Sequence, residues 1–362
     1  MKAAAVFPAT KSLAVVTDFA EPQITSPTQV KLRILSVGVC GTDREIASFL
    51  YGEPPPGSDY LVLGHEAIGE VIEAGAAVKN FKPGDLAIPM VRRPCHHPEC
   101  LACQSGRPDF CYTLDYVERG IMKRHGFMTE MVVDDVMYMN AVPAAIRDVA
   151  VLVEPLTIAE KALLQVTAVQ SRLPWGIPDK HAVVLGAGPV GLLGAMTLIE
   201  RGFAVTVYSR DREPSPAADI VKAIGGKYIS AQDRTIEQLA GDTGRIDLVY
   251  EATGSSKLTF EFAQVLGTNG IFIITGVPGK HGPIPVDTDA LMRNMVLKNQ
   301  CLLGTVNAGK DAFENAITDM TSFYAKWPGA VKGMITGRFA IDQFAEPIHN
   351  ETGIKNIVEI AR

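Results

Sequence analysis

Up to about residue 140 the chain sets short apolar runs between Gly and Pro turns, as in Lys31-Leu-Arg-Ile-Leu-Ser-Val37, Ala67-Ile-Gly-Glu-Val-Ile72 and Asp85-Leu-Ala-Ile88. Runs of that length, bounded by turn residues, predict strands and a β-rich first part. Residues 145–170 carry helical periodicity that Pro155 is expected to interrupt, which predicts a bridge between domains. Beyond Asp179 the rhythm becomes strand, turn, helix. It runs through His181–Leu185, an apolar helix to Arg201, Ala204–Tyr208, a helix near Ala217–Ile224, Asp247–Glu251 and Gly270–Thr275. Alternation at this spacing predicts a parallel sheet covered on both faces. It ends near Gly304, leaving a helix at about 309–325 and a strand Asn356–Ile360 to complete the first domain. The predicted class is α/β, with one domain from 1–165 plus 305–362 and a second from 166–304.

Length agrees, since 362 residues exceed one ordinary core. With 47% hydrophobic and 20% charged residues the chain is expected to fold throughout. A net charge of −6 gives no electrostatic reason to expect nucleic acid or an anionic membrane, so a small molecule is the expected partner. Pro8, Lys11 and Asp18 cut the N-terminal apolar run short of a signal peptide, and Met1–Phe7 reads as a strand. The uncharged stretch Ala182–Ile199 reaches spanning length, yet Gly186, Gly188, Pro189, Gly191 and Gly194 make it strand, turn and helix instead. A cytosolic protein is expected.

Gly186-Ala-Gly188-Pro189-Val190-Gly191 is a G-x-G-x-x-G that follows an apolar strand and opens an apolar helix. In that context the glycines permit a tight turn and close approach of a pyrophosphate, whose charge meets the helix N-terminus. The second strand ends in Tyr208-Ser209-Arg210-Asp211-Arg212, where an NAD-selective site would place an acidic residue. Ser209 and the guanidiniums of Arg210 and Arg212 suit a 2′-phosphate, so NADP is favoured, with NAD still open through Asp211.

Four of six cysteines, Cys95, Cys100, Cys103 and Cys111, lie within 17 positions. In a large chain without a secretory leader such a cluster predicts a closed, structural zinc site rather than disulfides. His97, inside the loop, is an alternative to Cys95. A second constellation joins Cys40-Gly-Thr42-Asp43 with Gly64-His65-Glu66, whose histidine arrives 25 residues after Cys40. Cysteine, histidine and carboxylate make the ligand set of a catalytic zinc with a position left open.

In this order, Cys40-Gly-Thr-Asp43, Gly64-His-Glu66, Gly84-Asp85, the four-cysteine lobe and Gly186-x-Gly-x-x-Gly191 resemble the zinc-containing medium-chain alcohol dehydrogenases over nearly the whole chain. Finer matches are similar to the archaeal-type glucose 1-dehydrogenases: Cys40–Glu45, Leu63–Ala67, Arg92-Arg93, Gly106–Cys111, Glu118–Ile121 and Gly126–Met128. The resemblance implies a GroES-like catalytic domain and a Rossmann domain. It also implies two zinc ions per chain, one of them on Cys40, His65 and Glu66 with Glu154 at an additional position. It assigns Thr42 as proton relay, Thr253 to the cofactor, and Glu118, Glu154 and Asn307 to sugar or nicotinamide. The implied reaction passes a hydride from C1 of an aldose, glucose above others, to NAD(P)+, with a homo-oligomer, dimer or tetramer, as the working form. Two departures stand out. Four residues separate Cys95 from Cys100 where two are usual, and Val91 replaces an asparagine found in some relatives. A polyol, threonine or simple alcohol dehydrogenase would share the zincs and the glycine loop, and a binding protein without catalysis would keep the fold.

Overall fold

The structure is a computed structural model that describes residues 1–279 and 282–361. The chain forms two compact units, one from Met1–Thr157, Asn307–Ala325 and the segment from Ile335 onward, the other from Ile158–Val306 and Lys326–Met334.

The first unit is built on a seven-stranded sheet. Its order is Met139–Val142, Leu86–Pro89, Glu66–Ala74, Gln29–Gly38, Lys355–Glu359 and Ile335–Ala340, with Met131–Asp135 also paired to Gln29–Gly38. All of these pairings are antiparallel except that between the last two strands in the order. The apolar positions read from the sequence face inward: Val30, Leu32, Ile34, Val37, Ala67, Val71 and Ala87 are buried together with Phe127, Met128 and Val358. Burying such side chains contributes about 1.5–3 kcal/mol each, enough to hold the register against a one-residue slip. A small sheet of Arg92–Arg93, Val117–Arg119 and Lys123–Arg124 lies apart from this core.

The second unit carries a six-stranded sheet in the order Lys227–Ser230, Ala204–Ser209, His181–Leu185, Leu248–Glu251, Ile271–Ile274, Cys301–Gly304, every pair parallel. This is the doubly wound dinucleotide-binding order, which reverses beside the first strand. The central strands are nearly continuous apolar runs because both faces are covered. The helix Pro328–Gly333 packs on Pro216–Ala223 and so belongs to this unit rather than with its sequence neighbours.

One expectation needs correction. Pro155 does not interrupt the helix Val153–Gln170; it falls in the first turn, where the missing N–H would have no intrahelical acceptor. The division expected after residue 165 lies inside that continuous helix, and the chain passes between units at Thr157 and Ile158. No change of composition marks a boundary within a regular helix.

Candidate active site and metal centres

Cys40 caps the helix Gly41–Ala47, and its backbone N–H donates to Asp43 Oδ2 at 2.9 Å. Asp43 is fully buried, and its other oxygen accepts from the Gly64 N–H at 3.3 Å and lies 3.5 Å from His65 Nδ1. One carboxylate therefore ties the cysteine turn to the histidine strand and faces one ring nitrogen, leaving the other for a ligand. Burial alone would lower the His65 pKa, but Asp43 and Cys40 outweigh it and hold it well above its ordinary value. Gly64 takes φ +88°, and its bare Cα faces Met128 and Val37, so the turn before His65 accepts no side chain.

Glu66 is buried against Gly38, where an added Cβ would stand 2.0 Å from its carboxylate. Lys355 reaches it from the far end of the chain, with Nζ 2.6 and 2.8 Å from the two oxygens and 3.1 Å from the Val39 carbonyl. A buried carboxylate needs such a partner to stay charged. One donor atom each from Cys40, His65 and Glu66 lies within 4.8 Å of the others. A sulfur, an imidazole nitrogen and a carboxylate oxygen at this mutual spacing fit a tetrahedral zinc with one position open. Thr42 Oγ1 lies 4.0 Å from Cys40 Sγ. Glu154, in the first turn of Val153–Gln170, is buried but outside that three-donor group. Burial pushes its carboxyl up to about 7, with Glu66 adding to the rise and His65 opposing it.

The four lobe thiols are buried and reduced, and their sulfurs lie within 4.8 Å of one another. Zn–S bonds of about 2.3 Å on a tetrahedron place sulfurs about 3.8 Å apart; Cys100 and Cys111 stand at 3.9 Å. Backbone amides, Cys103 first and then Tyr112, bring the Cys100 thiol down to about 6, toward the thiolate a metal requires. Cys95 belongs to the cluster despite its wide spacing. His97 does not, for its ring is paired with Asp115 at 3.0 Å and Glu99 at 3.4 Å.

Beside the first centre the strand Val117–Arg119 leads into Gly120, at φ +74°, whose added Cβ would lie 2.3 Å from the Gly64 carbonyl. That close approach packs the turn that follows Glu118 against the turn that precedes His65. Glu118 is 4% exposed, and its Oε1 accepts from Arg92 Nε at 2.9 Å and Asn307 Nδ2 at 3.1 Å. Asn307 takes φ 60°, a conformation asparagine tolerates. Arg92 in turn lies over the Tyr116 ring, 3.5 Å from its centroid. Tyr51, 42% exposed, borders this group: burial and then the Glu118 charge push its phenol up.

In the second unit Gly186 turns at φ +100°, and its missing Cβ leaves room for Thr253, whose Cγ2 would otherwise be 2.8 Å away. Gly188 caps the helix Pro189–Glu200, with Pro189 and Val190 in its first turn, and a Cβ there would meet nothing within 4 Å. The open space at an N-terminus fits a pyrophosphate. Gly191 packs on the Gly186 carbonyl, 2.1 Å from where a Cβ would stand. Thr253 is held by the buried Glu251, which accepts from the Thr253 and Gly254 amides at 2.6 and 2.8 Å. Ser209 ends its strand, the Arg210 side chain is 91% exposed, and Arg212 pairs with Asp233 at 3.0 Å.

The residues that hold the ligands differ in how far the sequence shows them. Asp43 was visible as the third helical residue after Cys40, a position suited to capping. The partnership of Lys355 with Glu66 spans 289 residues and leaves no local signal.

Residues 26–144 match the family described as "Alcohol dehydrogenase GroES-like domain", and residues 147–360 match "Glucose dehydrogenase C-terminus". The chain is 38% identical over 361 residues to a glucose 1-dehydrogenase of Methanocella arvoryzae, with 99% of each covered. It is 38% identical over 362 residues to one of Thermoproteus tenax, with the same coverage. Among solved structures it is similar to the glucose dehydrogenase of Haloferax mediterranei in complex with NADP, Zn and gluconolactone, at TM-score 0.90 and 32% identity over the whole of both chains. With both halves of the sequence matched, a full-length likeness at this identity and two groups of donors fit for zinc, the chain belongs to the glucose dehydrogenase family of zinc-containing medium-chain dehydrogenases.

Proposed function

We propose that this protein oxidises an aldose, D-glucose above others, at C1 to its lactone, with NADP+ as the better acceptor and NAD+ as a second. The observation that carries the substrate reading is Glu118: a buried carboxylate with one oxygen held by Asn307 and Arg92, on a segment packed against the turn before His65. Polar groups of this kind suit a hydroxyl-rich substrate, because each buried hydroxyl must find partners. The relative from Haloferax mediterranei, which binds gluconolactone, NADP and Zn, supports the same assignment.

The reaction removes a proton from the anomeric hydroxyl and a hydride from C1. When bound, zinc supplies Lewis acidity toward that hydroxyl and the nicotinamide accepts the hydride. Cys40, His65 and Glu66 would hold the metal, with Asp43 fixing the imidazole and Lys355 holding the Glu66 carboxylate. The Thr42 hydroxyl takes the proton outward, while Glu118 and Asn307 align the sugar. Glu154, its carboxyl pushed up to about 7 by burial, is suited to exchange a proton, and would be the additional carboxylate for the metal. Gly186, Gly188, Pro189, Val190 and Gly191 receive the pyrophosphate, Thr253 borders the cofactor, and Ser209, Arg210 and Arg212 receive the 2′-phosphate. Cys95, Cys100, Cys103 and Cys111 would hold the structural zinc.

A homo-oligomer in the cytosol is the setting we assign. The free thiols favour a reducing compartment. The sheet edge at Cys301–Gly304, with Met292, Val296 and Leu297 exposed on the preceding helix, favours self-association. No helix among the described residues is long and apolar enough to cross a membrane.

Initial rates of the zinc-loaded protein with NADP+ and NAD+ against glucose, galactose, xylose, sorbitol, threonine and ethanol test the assignment. Fast turnover of an aldose, best with NADP+, is expected. Activity confined to sorbitol, threonine or ethanol overturns the substrate.

A further inference from the structure

The Arg92 side chain is 4% exposed, yet among the described residues its guanidinium meets only one acceptor, Glu118 Oε1, through Nε. Its two terminal nitrogens meet no acceptor among the described residues, and Tyr116 covers one face of the plane. Glu118 shows the complementary deficit. Both donors it receives go to Oε1, and Oε2 receives none among the described residues. A fork with unpartnered N–H groups and a carboxylate with an unpartnered oxygen sit side by side; the two side chains are almost wholly covered, but these atoms keep access to the surface, where a small ligand can meet donor and acceptor together. Water can supply the missing partners, but Glu118 lies two residues before Gly120, which packs against the turn before His65, and Arg92 faces it from the paired strand.

We infer that Arg92 is a specificity-determining substrate residue: its terminal N–H groups donate to a ring hydroxyl of the sugar while Glu118 Oε2 accepts from the same or the adjacent hydroxyl. A sugar hydroxyl both donates and accepts, so a planar donor beside an acceptor satisfies it, and a vicinal pair satisfies both side chains together. Asn307 completes the arrangement by occupying Oε1 together with Arg92 Nε, which turns Oε2 to the sugar. This deepens the aldose reading and rests on it. An analogue lacking the hydroxyl leaves a fork and a carboxylate unpaired, the situation in which sites discriminate most strongly.

The test compares wild type, Arg92→Gln and Arg92→Lys as zinc-loaded enzymes on glucose and on 2-, 3- and 4-deoxyglucose, with KM for NADP+, zinc content and thermal midpoint measured in parallel. In the wild type one deoxy position is expected to lose about 10- to 100-fold in kcat/KM. Arg92→Gln is expected to raise the KM for glucose by a similar factor and to erase most of that discrimination, leaving the KM for NADP+ and the zinc content in place. Arg92→Lys, which keeps the charge but not the fork, should recover only part of it. If Arg92→Gln and Arg92→Lys oxidise glucose but discriminate against the deoxy sugars as the wild type does, Arg92 serves packing alone and the inference is wrong. Should Arg92→Gln fail to fold, the lysine variant decides by the same ratio. A wild type that oxidises no aldose overturns the functional assignment and this inference with it, whereas unchanged discrimination in an active variant overturns only the latter.

Discussion

At the scale of single residues, charge is concentrated on few carboxylates. Asp134 is buried and takes Arg93 at 2.6 Å, Arg119 at 2.7 Å and Arg124 at 3.3 Å. Burial alone would raise its pKa, but the three guanidiniums outweigh it and hold it far below the ordinary 3.8. A depressed acid stabilises the fold above its unfolded pKa and stops doing so as pH falls through the folded value. Asp134→Asn is therefore expected to cost about 3–5 kcal/mol at pH 7, through the positive charges left without a partner. Thermal or urea unfolding at pH 7 and pH 3 checks this: the gap between variant and wild type should narrow only at the lower pH. Arg210→Ala should raise the KM for NADP+ about tenfold and leave that for NAD+ nearly unchanged, a modest factor because the guanidinium is exposed and its contact is screened. Equal effects on the two cofactors would remove Arg210 from the 2′-phosphate.

Elements meet where glycines let backbones touch. An alanine at Gly120 would sit at φ +74° with its Cβ 2.3 Å from the Gly64 carbonyl, and the turn before His65 would have to move. Gly120→Ala is expected to lose most activity and about one zinc per chain while the four-cysteine lobe keeps its own, which metal analysis measures directly. Gly191→Ala, at 2.1 Å from the Gly186 carbonyl, should instead raise the KM for NADP+ and spare the zinc content. At this scale the sequence was a good guide. The strands near residues 31–37, 67–72 and 181–185 were legible from apolar runs between turns, and the glycine loop from its place after a strand. Pro155 misled because proline is tolerated in a first helical turn, and nothing local shows where a helix starts. The edge strands Lys227–Ser230 and Cys301–Gly304 are only four residues long, too short for a periodicity to announce them. Of the candidate site, the ligand types were readable because coordination chemistry restricts them to a few residues. The partners that hold them were not: Lys355 on Glu66 and Arg92 on Glu118 depend on pairings between distant strands.

Across the whole molecule the two groups of metal donors differ in how the chain would survive without the ion. Glu66 keeps Lys355 and His65 keeps Asp43, so the first centre retains balanced charge when empty. The four thiols of the lobe form a buried cluster of their own, with Ala102 and Tyr116 packed against it. Mild chelation is therefore expected to abolish turnover with little change in circular dichroism, and zinc should restore it. Stronger chelation should open the lobe, seen as new thiol reactivity, and lower the thermal midpoint. Simultaneous loss of both ions and of structure at the first chelator concentration would contradict this separation.

The lysine that neutralises Glu66 lies on the strand Lys355–Glu359, inserted in the sheet between Gln29–Gly38 and Ile335–Ala340. During synthesis at about 5–20 residues per second, Glu66 must wait on the order of tens of seconds for that lysine. The dinucleotide-binding sheet, by contrast, lies wholly within one stretch, His181 to Gly304. A nascent chain arrested after Gly333 should thus present a protease-resistant cofactor-binding unit beside a catalytic unit that is still open to cleavage. Because its sheet is complete before the first unit's last strands are made, the second unit would be the first to mature, although the first unit holds the N-terminus.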